Sequence, residues 1–205
     1  DQNTDFNLII ERGSRMFYFP VINAEQPIYE WSFLRKTGTV TLATSDVDYD
    51  LPDDCSGVVL DRSTSYAVGS TFRNLHKVSE SVIRQHQSLD DQTGLPKYFA
   101  VRNKAHTPTT GQRYEMLVYP TPTATENGTV LTFRYVFVPD VINSTNKFPV
   151  GGARHSETIL AAILAAAESK QDDDPLGQYT ERFQRMLMTS IRSDMNTKEN
   201  EDRKS

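Results

Sequence analysis

QRYEMLVY at residues 112–119, PTPTATENG at 120–128 and TVLTFRYVFV at 129–138 form the stretch on which the reading of the fold turns. In the last segment Leu131, Phe133, Tyr135 and Phe137 share one face by the two-residue period of a strand, and Val130, Thr132, Arg134, Val136 and Val138 share the other. Both faces are largely apolar, so the pattern predicts a central strand covered on both sides rather than a solvent-facing edge. Residues 112–119 read as its antiparallel partner, reached through the Pro- and Thr-rich loop that ends in Gly128, and the two together predict a β-hairpin.

Outward from this pair, residues 28–138 break into short β-rich runs separated by turn residues. Thr39 to Thr44 places Val40 and Leu42 on one face, Tyr49 to Pro52 reads as a short edge segment ended by its proline, and Ser56 to Leu60 is a further strand. Tyr98 to Arg102 extends from the Gly94-Leu95-Pro96 turn. Ser79 to His86 predicts a short helix with Ser79 as N-cap and Val82 and Ile83 inward.

Helical spacing takes over on both flanks. Phe6, Ile9, Ile10, Met16 and Phe17 define a helix at about 3–19, stopped by Pro20. Gly13 falls on its apolar stripe and marks either the close approach of another backbone or an early helix end. After the Gly151-Gly152 hinge, a helix at 153–170 carries Ile159, Leu160, Ile163, Leu164 and the small-residue run Ala165 to Ala167. Asp172-Asp173-Asp174-Pro175 reads as a helix start, and Tyr179, Phe183, Met186, Leu187 and Ile191 mark one face of a last helix at 176–195. Trp31, beside Phe33 and Leu34, is expected in the core. The fold class is therefore α+β: one domain over residues 1–195, a helical bundle with a β-rich insertion at about 28–138, followed by a polar tail at 196–205 that should be disordered unless a partner orders it.

Composition narrows the function classes. With 22 basic against 27 acidic residues in 205, the net charge is −5, the wrong sign for a protein that grips phosphates. A single cysteine, Cys55, excludes an internal disulfide and a thiolate-rich zinc site, and points to a reducing cytoplasm as the place of synthesis. Mean hydropathy is −0.54. No apolar run approaches the roughly 20 residues needed to span a bilayer, so a soluble protein without membrane contact is expected. The acceptor patterns at Asn127 and Asn143 carry no weight without secretion.

The chemistry-bearing residues do not assemble into a motif. His76, His86, His106 and His155 lack metal-ligand spacing and read as surface or capping residues; the Asp172–Asp174 run lacks the spaced oxygens of a calcium loop. Gly151-Gly152 precedes a helix without a Walker lysine or GxGxxG, so it reads as a hinge. Arg35, Lys36, Arg102 and Lys104 lie near aromatics but among Glu30, Asp46 and Asp48, which fits solvated faces or subunit contacts better than nucleic-acid binding. No catalytic residue, metal site or cofactor is expected, and a hydrolase would need a pocket uniting His155 with a carboxylate and a nucleophile.

The order of segments carries a resemblance. Tyr29-Glu30-Trp31-Ser32-Phe33-Leu34, then Tyr49-Asp50-Leu51-Pro52-Asp53-Asp54, Thr93 to Tyr98, Gly111 to Glu115, Tyr119 to Pro122, and the Gly151-Gly152 helix with Ala166-Ala167-Glu168 together resemble the head-to-tail adaptor, or neck, proteins of tailed bacteriophages over about residues 5–195. The sequence departs from that pattern in opening on the helix at 3–19 without the bundle's first helix. The resemblance implies a non-enzymatic virion protein of the neck: a homo-oligomeric, dodecameric ring between the portal protein and the tail, stopper or tail-tube proteins, through which genomic DNA passes without specific binding. It also implies a portal-docking arm near the C-terminus, to which we assign Arg192, Lys198, Glu199, Glu201, Asp202, Arg203 and Lys204. Lateral contacts between charged groups and a neutral to acidic channel lining are expected. The alternative is a β-rich virion or tail module that binds a ligand.

Overall fold

The computed structural model describes residues 2–21, 28–60, 63–68, 71–90, 92–171 and 177–202. The chain forms two compact units: residues 1–34 with 139–205, and residues 35–138. In chain order the second unit is inserted into the first.

The first unit holds α1 (Gln2–Tyr18), α3 (Ser156–Gln171) and α4 (Gln178–Asp202), with α2 (Glu80–Leu89) belonging to the insertion. α3 packs against both α1 and α4. Small side chains make this possible: Ala161, Ala162, Ala165 and Ala166 are buried, so the neighbouring helices come close. Gly13 is a point of close approach between α1 and α3, since a Cβ built there would lie 2.4 Å from the Ile163 Cα. The close-approach reading of Gly13 therefore holds, and the helix does not end there. The stripe is deeper toward its C-terminal end, with Phe17 and Tyr18 buried but Phe6 exposed. On α4, Phe183, Leu187 and Ile191 are buried as the periodicity predicts, while Tyr179 is largely exposed.

Trp31 is fully buried beside a 3-10 turn at Ser32–Leu34. It stacks on Phe17 with ring centroids 4.7 Å apart and on Phe33 at 5.2 Å, and its indole Nε1 donates to the Phe17 carbonyl at 3.0 Å. An indole in the core needs such an acceptor, because an unmade hydrogen bond costs more than a made one contributes.

The inserted unit contains, among the described residues, nine strands in two sheets and one helix. One sheet joins β1 (Arg35–Thr41), β3 (Cys55–Val59), β4 (Ser65–Val68), β5 (Thr71–Asn74) and β9 (Val130–Phe137); the other runs β2 (Asp48–Asp50), β8 (Tyr114–Tyr119), β7 (Tyr98–Asn103), β6 (His76–Lys77). This corrects the predicted hairpin. β8 pairs antiparallel with β2 and β7, whereas β9 pairs antiparallel with β1, β3 and β4, so the loop at 120–128 crosses between sheets instead of turning back within one. An apolar strand needs cover and backbone partners but does not specify them, and here β8 takes β2 and β7 as neighbours while β9 takes β1, β3 and β4, so each is central without the other. β8 is buried on both faces, Leu117 and Tyr119 against Ile83 and Ala100 beneath α2 (Glu80–Leu89), Met116 and Val118 on the opposite face. β9 is central, as predicted, yet its first half has a wet face, with Val130, Thr132 and Arg134 exposed, and only the end from Tyr135 to Phe137 is buried on both sides.

The antiparallel pairing of β1 with β9 sets Arg35 opposite Val136. The chain thus enters and leaves the inserted unit on neighbouring strands, which lets 104 residues interrupt a helical unit without separating its two flanks. β2 is the edge strand predicted from Pro52, and Ser79 occupies the N-cap position of α2 although its hydroxyl bonds Ser81 rather than the helix backbone.

Candidate functional site

The C-terminal half of α4 is fixed to the loop at residues 29–32 through Asp194. Its carboxylate is buried, yet it accepts hydrogen bonds from the Tyr29 hydroxyl at 2.8 Å and from both the hydroxyl and the backbone N–H of Ser32. One turn on, the Lys198 Nζ lies 3.5 Å from Asp194 and 4.3 Å above the Tyr29 ring, and donates to the Glu30 carbonyl. Burial alone would raise the Asp194 carboxyl, but the hydrogen bonds from Ser32 and Tyr29, with the Lys198 charge beside them, outweigh it and hold the group below the usual carboxylate range. Asp194 was legible in retrospect: it continues the inward spacing of Leu187, Ser190 and Ile191, where an acid is out of place unless it is bonded.

This node carries α4 past the expected tail. The helix continues through Asp202, so residues 196–202 are helical where their polar composition predicts disorder. Lys198 extends the intramolecular bonding by one turn, and the Thr197 hydroxyl bonds the Ser193 carbonyl. Of the residues assigned to the docking arm, Arg192 is exposed on α4 and Lys198 is half-buried at the node; Glu199, Glu201 and Asp202 lie in the last turns of the helix. Arg203 and Lys204 lie outside the described residues, as does the Asp172–Asp174 helix start.

His155 departs from its surface reading. It is buried, 5.2 Å from the Phe33 ring, 5.4 Å from Trp31 and 5.9 Å from Phe17. Burial pushes its imidazole below the usual histidine range; the Asp194 charge opposes this and Arg154 reinforces it. The other three histidines are exposed, as expected. Among the described residues no group of three or more His, Cys, Asp or Glu is placed to hold a metal ion, and no helix is long and apolar enough to cross a membrane.

In the inserted unit three of the basic residues weighed for nucleic acid, Lys36, Arg102 and Lys104, pair with carboxylates of the same unit. Arg102 pairs with Glu115 and lies 3.6 Å from Glu80 and 3.7 Å from Asp48; Lys104 pairs with Asp50 at 2.5 Å. Lys36 pairs with Asp54 at 2.7 Å, where the Tyr135 hydroxyl also donates at 2.8 Å. Cations already matched to carboxylates release few counterions on meeting a phosphate backbone.

A family model described as SU10 adaptor protein matches residues 21–203, and the chain belongs to that family. It is thus a phage adaptor-type structural protein. No curated protein matches the chain.

Proposed function

We propose that this chain is a ring-forming subunit of the virion neck, placed between the portal and the tail or stopper proteins, and that the ring encloses the path of the genome. The observation that carries this reading is the family match over residues 21–203. A non-enzymatic role accords with a structural adaptor family. The internal pairing of Arg102, Lys104 and Lys36 accords with a channel wall that does not retain DNA. Dodecameric symmetry, by analogy with the neck proteins the sequence resembles, is part of the proposal.

The arm formed by Arg192, Lys198, Glu199, Glu201, Asp202, Arg203 and Lys204 is proposed to dock on the portal. Charged rims of this kind set register and encounter rate more than affinity. Mass photometry of the protein alone and mixed with purified portal is the direct test. A ring-sized particle, formed alone or on the portal, is expected; a monomer under both conditions, or a cryo-EM map of the neck with isolated copies, would overturn the ring. A map with a lumen rich in Lys and Arg of this chain would overturn the proposed lining.

A further inference from the structure

Between the start of α3 and the middle of α4, within the first unit, lies a groove of about 420 Å³. Three features single it out. Arg154 and Arg185 both line it, and among the described residues neither forms an ion pair, in a chain whose net charge is −5. His155 also lines it; this side chain is 4% exposed, and its Nδ1 has no hydrogen-bond partner. Buried polar atoms are rarely left unsatisfied, so this ring nitrogen holds unused hydrogen-bonding capacity on a residue that lines the groove. The groove further lies at the N-terminal end of the 16-residue α3, where backbone dipoles favour negative charge.

We infer that this groove is a docking site for an acidic peptide segment of a partner protein, with a carboxylate seated between Arg154 and Arg185. Carboxylate suits the site better than phosphate because Glu157 is also in the lining and would repel a doubly charged group more strongly. A peptide suits it better than a free ion because the lining extends along α4 from Arg185 to Ser193, about 12 Å at 1.5 Å per residue, which is several times the size of one oxyanion. Thr158 and Ser190, bonded to each other at 2.8 Å, form a neutral part of the lining. The inference concerns the groove alone and stands whether or not the chain forms a ring.

The test is fluorescence anisotropy of a fluorescein-labelled hexaglutamate peptide titrated with the full chain at low ionic strength. Saturable one-to-one binding is expected, weakened about tenfold in the double variant Arg154→Gln with Arg185→Gln, the worth of two exposed charged contacts. Glu157→Gln should tighten it. A double variant with the same loss of charge elsewhere, Arg12→Gln with Arg182→Gln, should leave it within about twofold, since neither residue lines the groove. The His155 imidazole resonances should shift on peptide addition while those of His76, His86 and His106 stay still, a readout that needs no variant to fold. Failure to saturate, equal weakening by the two double variants, unmoved His155 resonances, or displacement of the peptide by inorganic phosphate or a thymidine oligonucleotide at lower concentration than by unlabelled peptide would each overturn the proposal. Loss of the ring by mass photometry with the peptide still bound would sink the neck assignment alone.

Discussion

At Gly13 two effects oppose each other when alanine is introduced. Alanine would add up to about 1 kcal/mol of helix propensity. The new methyl, however, would meet the Ile163 backbone at 2.4 Å, and backbone cannot rotate away as a side chain can. Overpacking of this kind costs about 1–3 kcal/mol or more, so Gly13→Ala is expected to be net destabilising in a urea titration; a variant as stable as the parent would refute the contact. Asp194 gives a second prediction. Because its pKa is lowered on folding, its contribution is present above the unfolded carboxylate value of about 3.9 and is lost as pH falls through the lower folded value. Asp194→Asn should therefore lose about 1–3 kcal/mol near neutrality, and the gap to wild type should close on acidification below about pH 4. His155 acts in another window. It is lowered on folding, so the unfolded chain protonates first and stability falls as pH drops below about 6.5. Replacing it with Phe, which suits its aromatic neighbours, should flatten that slope in pH-resolved melts.

Among the elements, α4 and β8 show how local pattern and tertiary setting divide the work. The α4 stripe of Phe183, Leu187 and Ile191 was legible because helical periodicity reports burial directly. Its extension to Asp202 was not, because the bonds that hold it involve Glu30 and Tyr29, about 165 residues earlier in the chain. This matters for testing the arm. Removing residues 196–205 would also remove Lys198, whose ion pair and ring contact are together worth about 1 kcal/mol. Truncation after Lys198 should leave the melting temperature unchanged and, if the arm docks, weaken binding to portal-bearing heads. Truncation after Met195 should lower the melting temperature as well. Equal melting temperatures in the two truncations would show that Lys198 contributes nothing to the fold.

For the molecule as a whole, the two units make a simple statement about cooperativity. Residues 35–138 bury their own core in two sheets and α2, and their ends leave on paired strands. A chain of residues 35–138 is therefore expected to fold alone, giving a β-type circular dichroism spectrum and a cooperative urea transition. A fragment that stays unfolded would show that the insertion depends on the helical unit. The sheets pair strands far apart in sequence, so this fragment should fold more slowly than a helical unit of like size.

Composition and periodicity by themselves determined the α+β class, the flanking helices and the central character of β9. Each follows from interactions that are local or averaged over the chain. What only the tertiary structure decided is which strand pairs with which, where His155 sits, and how α4 ends. A strand that is apolar on both faces announces that it will be covered but not by whom, since hydrogen bonds to any neighbouring backbone satisfy it equally. A buried carboxylate or imidazole likewise depends on partners brought from distant segments, and no spacing along the chain encodes that meeting.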